Sequence, residues 1–292
     1  MIKSLFNGAA LIATLAGSVQ AADMPLKARP APVPVYTWTG FYGGINGGYG
    51  WSDRTVTFTP GDPFMQNATC GGNAGGTCAL PASSKLKGGF GGLQAGYNWQ
   101  VNPFFLAGLE ADIQGSAIRG NVTNPPFRVG PMVSQIAAEH SITWFGTIRG
   151  RLGFLPTDRL LIYGTGGFAF GRVEANSLLT NIGGQVAGNG SGFAFNCTLA
   201  AGTFPNCFTG NSARTATGWT AGGGFEFALS QNVTLKGEYL YVNLGTTSHS
   251  LAAVRPFPGL LPASFIVSSK VDYSLARVGL NYRFDPPVVA KY

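Results

Sequence analysis

The segment Ile142–Phe154, ITWFGTIRGRLGF, sets two arginines inside a run that is otherwise apolar, small or hydroxylated. Side chains of an extended strand alternate between its two faces. Arg149 and Arg151 therefore share one face with Thr143, Phe145, Thr147 and Gly153. Ile142, Trp144, Gly146, Ile148, Gly150, Leu152 and Phe154 share the other. Such a strand has to separate a polar compartment from an apolar one.

Seven more segments alternate with the same period. In Thr39–Trp51, Phe41, Ile45, Tyr49 and Trp51 oppose Tyr42 and Asn46. In Gly88–Gln100, Leu93, Tyr97 and Trp99 oppose Gln94, Asn98 and Gln100. In Phe104–Gly115, Phe105, Leu109 and Ile113 oppose Glu110, Asp112 and Gln114. Leu160–Gly171 has the least distinct faces, with Ile162, Phe168 and Phe170 assigned outward. In Gly218–Phe227, Trp219, Phe225 and Phe227 oppose Thr220 and Glu226. In Val233–Tyr241, Val233, Leu235, Tyr239 and Tyr241 oppose Thr234, Lys236 and Glu238. In Ser274–Phe284, Val278, Leu280, Tyr282 and Phe284 oppose Arg277, Asn281 and Arg283.

The connections alternate in length. Val101–Pro103, Leu155–Arg159 and Leu229–Asn232 are short turns, whereas Ser52–Lys87, Ala117–Ala138, Val173–Arg214 and Gly245–Ser269 are expected as four long loops. Trp99, Phe105, Phe154, Phe227, Tyr282 and Phe284 sit near the short turns, and Tyr49, Trp51, Trp144 and Trp219 near the opposite ends. Two aromatic girdles, short turns at one end and long loops at the other are the pattern of an outer-membrane barrel. In hydrocarbon every backbone amide needs a protein partner, so a sheet must close on itself. The predicted fold is all-β: an eight-stranded antiparallel transmembrane β-barrel over residues 39–284, with periplasmic turns and extracellular loops.

Composition favours this over a soluble barrel, whose apolar face would point inward. Only 11% of the 292 residues are charged, against about 25% in soluble domains. A water-exposed wall would be unusually bare. Seen from inside, Glu110, Asp112, Glu226 and Glu238 meet Arg149, Arg151, Lys236, Arg277 and Arg283. Buried charges are normally paired, and the interior of an eight-stranded cylinder is just wide enough to be filled by side chains. A lumen plugged by an ionic network is expected.

The ends read differently. Lys3, the apolar run Leu5–Gly17 and Val19-Gln20-Ala21 form a secretory signal over residues 1–21, cleaved near Ala21. Residues 22–38 contain Pro25, Pro30, Pro32 and Pro34 and are expected as a periplasmic linker; residues 285–292 follow the last strand as a tail. Cys70/Cys78 and Cys197/Cys207 fall in long loops. In an oxidising compartment two local disulfides are the natural reading, although four cysteines allow three connectivities. The spacings do not suit zinc, so no metal or cofactor is expected.

His140 and His249 are expected as solvated loop residues, and Ser248–Ser250 (SHS) has no rigid base and carboxylate to make it catalytic. GTGGFA, Gly164–Ala169, matches a dinucleotide fingerprint only in letters, because it lies within a strand. No enzymatic or nucleic-acid role is expected.

YTWTGFYGGINGGYGW, WFGTIRGRLGF, LIYGTGGFAFG and RVGLNYRF together resemble the outer-membrane immunogenic proteins of alphaproteobacteria. These are porin-family β-barrels similar to the transmembrane domain of outer-membrane protein A. The resemblance implies antigenic surface loops, export through Sec, contact with outer-membrane lipid and lipopolysaccharide, and insertion by the barrel-assembly machinery. That machinery would read Tyr282 and Phe284, though eight residues follow Phe284 here. Haem binding is reported within the family, but no ligand motif for it is carried over. The expected role is structural and surface-presenting. The alternatives are a low-conductance pore for small solutes, or a loop-mediated ligand-binding or adhesive function with a host or small-molecule partner.

Overall fold

The structure is a computed structural model that describes residues 36–70, 78–129, 132–183, 197, 206–256 and 263–284. The expected signal segment, the linker up to residue 35 and the tail lie outside the described residues. In chain order the elements are β1 (Gly40–Pro60), α1 (Pro63–Cys70), β2 (Leu80–Gln100), β3 (Phe105–Thr123), β4 (Phe127–Val129), β5 (Met132–Thr157), β6 (Leu160–Gly183), β7 (Asn206–Ala228), β8 (Val233–Ala253) and β9 (Ser264–Arg283). Consecutive long strands pair antiparallel, β9 returns to β1, and β3 pairs with β5. The eight long strands close into a ring, and the short β4 folds onto the start of β5.

The face assignment holds through the apolar belt. Leu109, Ile148, Leu152, Phe225, Val278 and Leu280 project outward, while Glu110, Arg149, Arg151, Glu226 and Arg277 are buried inside. Aromatic contacts mark both rims. Phe105–Phe154 and Tyr282–Phe284, with ring centroids 5.8 and 5.4 Å apart, lie at the turn end. Trp51–Tyr239 and Trp219–Tyr241 lie at the other, 6.2 and 5.5 Å apart.

The strands are much longer than the sequence suggested. They run from 19 residues in β3 to 26 in β5, against roughly 9–11 for a membrane crossing. Much of the four expected long loops is therefore strand, and the ring continues beyond the belt as a second section, at the loop end. There the alternation keeps its period and changes its chemistry. On β1, Val56 and Phe58 are fully buried while Asp53 and Thr55 face out. A wall that leaves hydrocarbon for water exchanges apolar-out for polar-out, as in a soluble barrel.

Irregularities help to explain why the extension was missed. β3 shifts register between Gly115 and Ile118, β5 between Ile142 and Trp144, and β8 between Asn243 and Thr246. A bulge inserts a residue and reverses side-chain parity beyond it. Ile142, expected on the outer face with Trp144, is consequently buried in the lumen. Gly245, the first residue of an expected loop, supplies the positive φ (77°) that the β8 bulge adopts.

α1 also lies within an expected loop. Asp62 caps it, its Oδ1 accepting the Met65 amide at 2.9 Å, and Pro63 takes the first helical position. Asp62 also accepts the Ser264 amide at 2.7 Å, tying the helix to β9. Met65 thereby enters an apolar cluster with Phe58, Met132, Phe208 and Phe265 that fills the loop end of the lumen. The turn end is filled too. Tyr36 and Trp38, expected in the linker, are buried with Leu106, Leu155 and Leu161, and Trp38 Nε1 donates to the Asp158 carbonyl at 3.0 Å. Cys70 pairs with Cys78 and Cys197 with Cys207, with Cα atoms 5.8 and 5.4 Å apart.

Candidate functional site

The lumen inside the apolar belt gathers the chemistry. Strand register does most of the positioning: Glu110 lies directly opposite Arg149, Glu226 opposite Lys236, and Glu238 opposite Arg277. Alternation turns all six inward, and the narrow cylinder brings their ends together across the axis.

Glu110 is the hub. Its Oε1 pairs with Arg149 and accepts Lys236 Nζ at 2.6 Å. Its Oε2 accepts Lys236 at 2.7 Å, the Tyr42 hydroxyl at 2.7 Å and Arg151 at 3.2 Å. Arg277 approaches at 3.4 Å. Arg149 reaches on to Asp112 and Glu238, both at 3.0 Å, and its Nε donates to Thr147 at 2.9 Å. Arg151 donates to Glu226 at 2.8 Å and lies over the Tyr163 ring, 4.5 Å from its centroid. Arg277 Nε donates to Glu238 at 2.6 Å, and its guanidinium reaches Asp112 at 3.2 Å. Four carboxylates and four cations thus form one connected set, nearly sealed from solvent. Breaking such a set leaves uncompensated charge in a low dielectric, which costs far more than the intact set contributes.

Arg283 departs from expectation. It is buried, but among the described residues it has no carboxylate partner. It donates to the Thr39 carbonyl at 3.3 Å and covers the Tyr36 ring at 4.8 Å. It lies at the end of β9, one layer nearer the turns than the acids, where the N-terminal segment supplies acceptors instead.

Several partners were not among the expected ionic residues. Tyr163 donates to Glu238 at 2.8 Å and Asn281 to Glu226 at 2.9 Å. Thr234 also donates to Glu226. Gln94 bridges Asn46 and Asn281 at 3.1 and 2.6 Å. Their signal was present, since each occupies the inward parity of its strand, but a search for charge passes over them. Within GTGGFA, Gly167 faces Arg149; a β-carbon there would collide with the Ile148 carbonyl, so glycine permits the close strand approach.

His140 is a second correction. It is not solvated: it lies on β5 inside the loop-end section, 1% exposed. Burial, with Arg54 and His249 beside it, pushes its imidazole down to about 3 from 6.5. His249 is half-buried, 3.0 Å from Ser177, and burial lowers it as well. Unfolded His140 binds a proton below about 6.5 while the folded one does not. Its stability contribution is therefore complete above that pH and is lost as pH falls toward 3. Urea unfolding at pH 7.5 and 5.0 should show a loss of about 2 kcal/mol in wild type that His140→Gln lacks.

Among the described residues no group of His, Cys, Asp and Glu is placed to hold a metal ion.

Comparison with known proteins finds relatives among outer-membrane proteins. The 31 kDa outer-membrane immunogenic protein of Brucella melitensis biotype 1 is 37% identical over 281 residues, covering 94% of this chain and 98% of that protein. The 22 kDa outer membrane protein of Rhizobium leguminosarum bv. viciae is 26% identical over 226 residues, covering 77% and 73%. Among solved structures, the outer membrane protein OprG of Pseudomonas aeruginosa aligns with a TM-score of 0.42 and 13% identity over 84% of this chain and 96% of that one. The family defined by the outer membrane protein beta-barrel domain matches residues 9–284, and the chain belongs to that family of outer-membrane β-barrels.

Proposed function

We propose that the protein is a closed barrel that anchors and presents an extracellular surface rather than a conduit for solutes. The observation that carries this reading is that buried side chains occupy the lumen at three successive levels. Trp38 and Tyr36 occupy the turn end, the ionic set the belt, and the cluster around Phe58, Met65 and Phe265 the loop end. An eight-stranded barrel has little room to spare once such side chains are in place.

In this reading the short turns face the periplasm and the loop end faces outward, carrying both disulfides. The wall contacts outer-membrane lipid, with lipopolysaccharide around its outer section. Tyr282 near the end of β9 and Phe284 just beyond it lie on the outer face, 52% and 65% exposed, where the barrel-assembly machinery could read them. The leader directs export through Sec. The curated relative from Brucella is described as immunogenic, which accords with an exposed outer section.

Planar-bilayer recording of the refolded protein tests this. The expected result is no regular single-channel step. Regular steps whose size changes in Arg149→Ala would replace the closed barrel with a low-conductance pore through the ionic set.

A further inference from the structure

Toward the loop end lies a second polar layer with different chemistry. On β1 the inward residue above Ser52 is Arg54, followed by Val56; on β2 Ser84 lies opposite Arg54 in register. His140 enters from β5, turned inward and 1% exposed, between Ala138 and Ile142. Apolar side chains shut this layer on both sides, with Val56 and Ala138 toward the loops and Leu86 and Ile142 toward the ionic set.

The layer is unbalanced. In the belt, Arg149, Arg151, Lys236 and Arg277 all have carboxylate partners. Arg54 is 7% exposed, yet among the described residues it donates only to the Lys270 carbonyl, at 3.3 Å. Among the described residues its Nε and Nη2 have no partner, nor do the Ser84 hydroxyl and His140 Nδ1. The acid whose charge bears on Arg54 is Asp272, which lies between inward Val271 and Tyr273 and hence faces out, where Tyr241 bonds it at 2.9 Å. A buried guanidinium is normally paired. The Nε–Nη2 edge of arginine is a fork whose two parallel N–H groups match two oxygens of one anion.

We infer that the layer formed by Arg54, Ser84 and His140 binds a free inorganic oxyanion of the phosphate or sulfate class, enclosed within the loop-end section of the lumen. Arg54 supplies the bidentate fork. Ser84, its register partner, supplies a hydroxyl. His140 supplies a third donor through Nδ1–H. Because apolar layers cover the site on both sides, the ion enters as the barrel closes, and a phosphate carried on a lipid headgroup cannot reach it.

The test is refolding of the full mature chain into lipopolysaccharide-free detergent micelles with radiolabelled inorganic phosphate, at ionic strength held constant with chloride. After desalting, wild type should retain close to one phosphate per chain, and its urea midpoint should rise with phosphate present during refolding. Arg54→Gln should lower retention by about tenfold or more, and Ser84→Ala, which deletes only a hydroxyl, several-fold. Equal retention by wild type and Ser84→Ala, or no retention by folded wild type, would overturn the inference whether or not Arg54→Gln folds. A rise in midpoint on adding lipopolysaccharide but not free phosphate would overturn it as well.

Discussion

Glu110→Ala should lower unfolding free energy by about 3–5 kcal/mol, the range for removing one partner from a buried ionic set. The substitution leaves Arg149, Arg151, Lys236 and Arg277 crowded around an empty position. It also strands the Tyr42 hydroxyl, which now donates to Glu110 at 2.7 Å. Asp112, Glu226 and Glu238 remain, three acids for four cations, so the set cannot rebalance. The loss is read from urea unfolding in lipid vesicles, or as a lower temperature for the heat-induced shift of the folded band on a gel. A loss below about 1 kcal/mol, the scale of an exposed ion pair, would mean that solvent reaches this part of the lumen.

The second large effect belongs to the outer wall. Ile148 adjoins Arg149 in sequence but faces the opposite way, 57% exposed in the middle of the apolar belt. Ile148→Arg should cost about 2–4 kcal/mol in vesicles, as for cations at the midplane of other barrels. Thr55→Arg makes the same kind of change on the outer face of β1, in the loop-end section, where neighbouring Asp53 is already outward. It should stay within about 0.5 kcal/mol of wild type. Comparable losses at both positions would contradict the division of the wall into a lipid belt and a wet extension.

That division also explains what could be read in the sequence. Between the two aromatic rims one rule governs every strand, apolar outward and polar inward, so a period-two pattern identifies both the strands and their faces. Leu109 against Glu110 and Ile148 against Arg149 follow directly. Above the rim the alternation persists as Ser52, Arg54, Val56 and Phe58 against Asp53, Thr55 and Thr57, but its sense reverses and the segment resembles a polar loop. Bulges at the same height change parity, which puts Ile142 on the face opposite to the one its alternation predicts. The acids and bases of the belt were legible because charge is conspicuous on an apolar strand. Arg283 was legible as an inward cation but not in its partners, because the Tyr36 ring it covers lies in the expected linker and Thr39 offers a backbone carbonyl, which alternation does not reveal. His140 was hidden for the same reason as its strand: a histidine in an apparent loop carries no sign that it will be enclosed.

The account rests on mutual neutralisation of charges inside the cylinder, and a double-mutant cycle between Glu110 and Lys236 measures it most directly. Lys236 Nζ lies 2.6 and 2.7 Å from the two Glu110 oxygens, and each residue sits on a different strand. Unfolding free energies of Glu110→Gln, Lys236→Met and the double variant should give a favourable coupling of about 1.5–3 kcal/mol, with the double variant less damaged than the sum of the singles. Additivity within about 0.5 kcal/mol would show that the two charges do not sense each other, and the sealed ionic lumen would have to be abandoned.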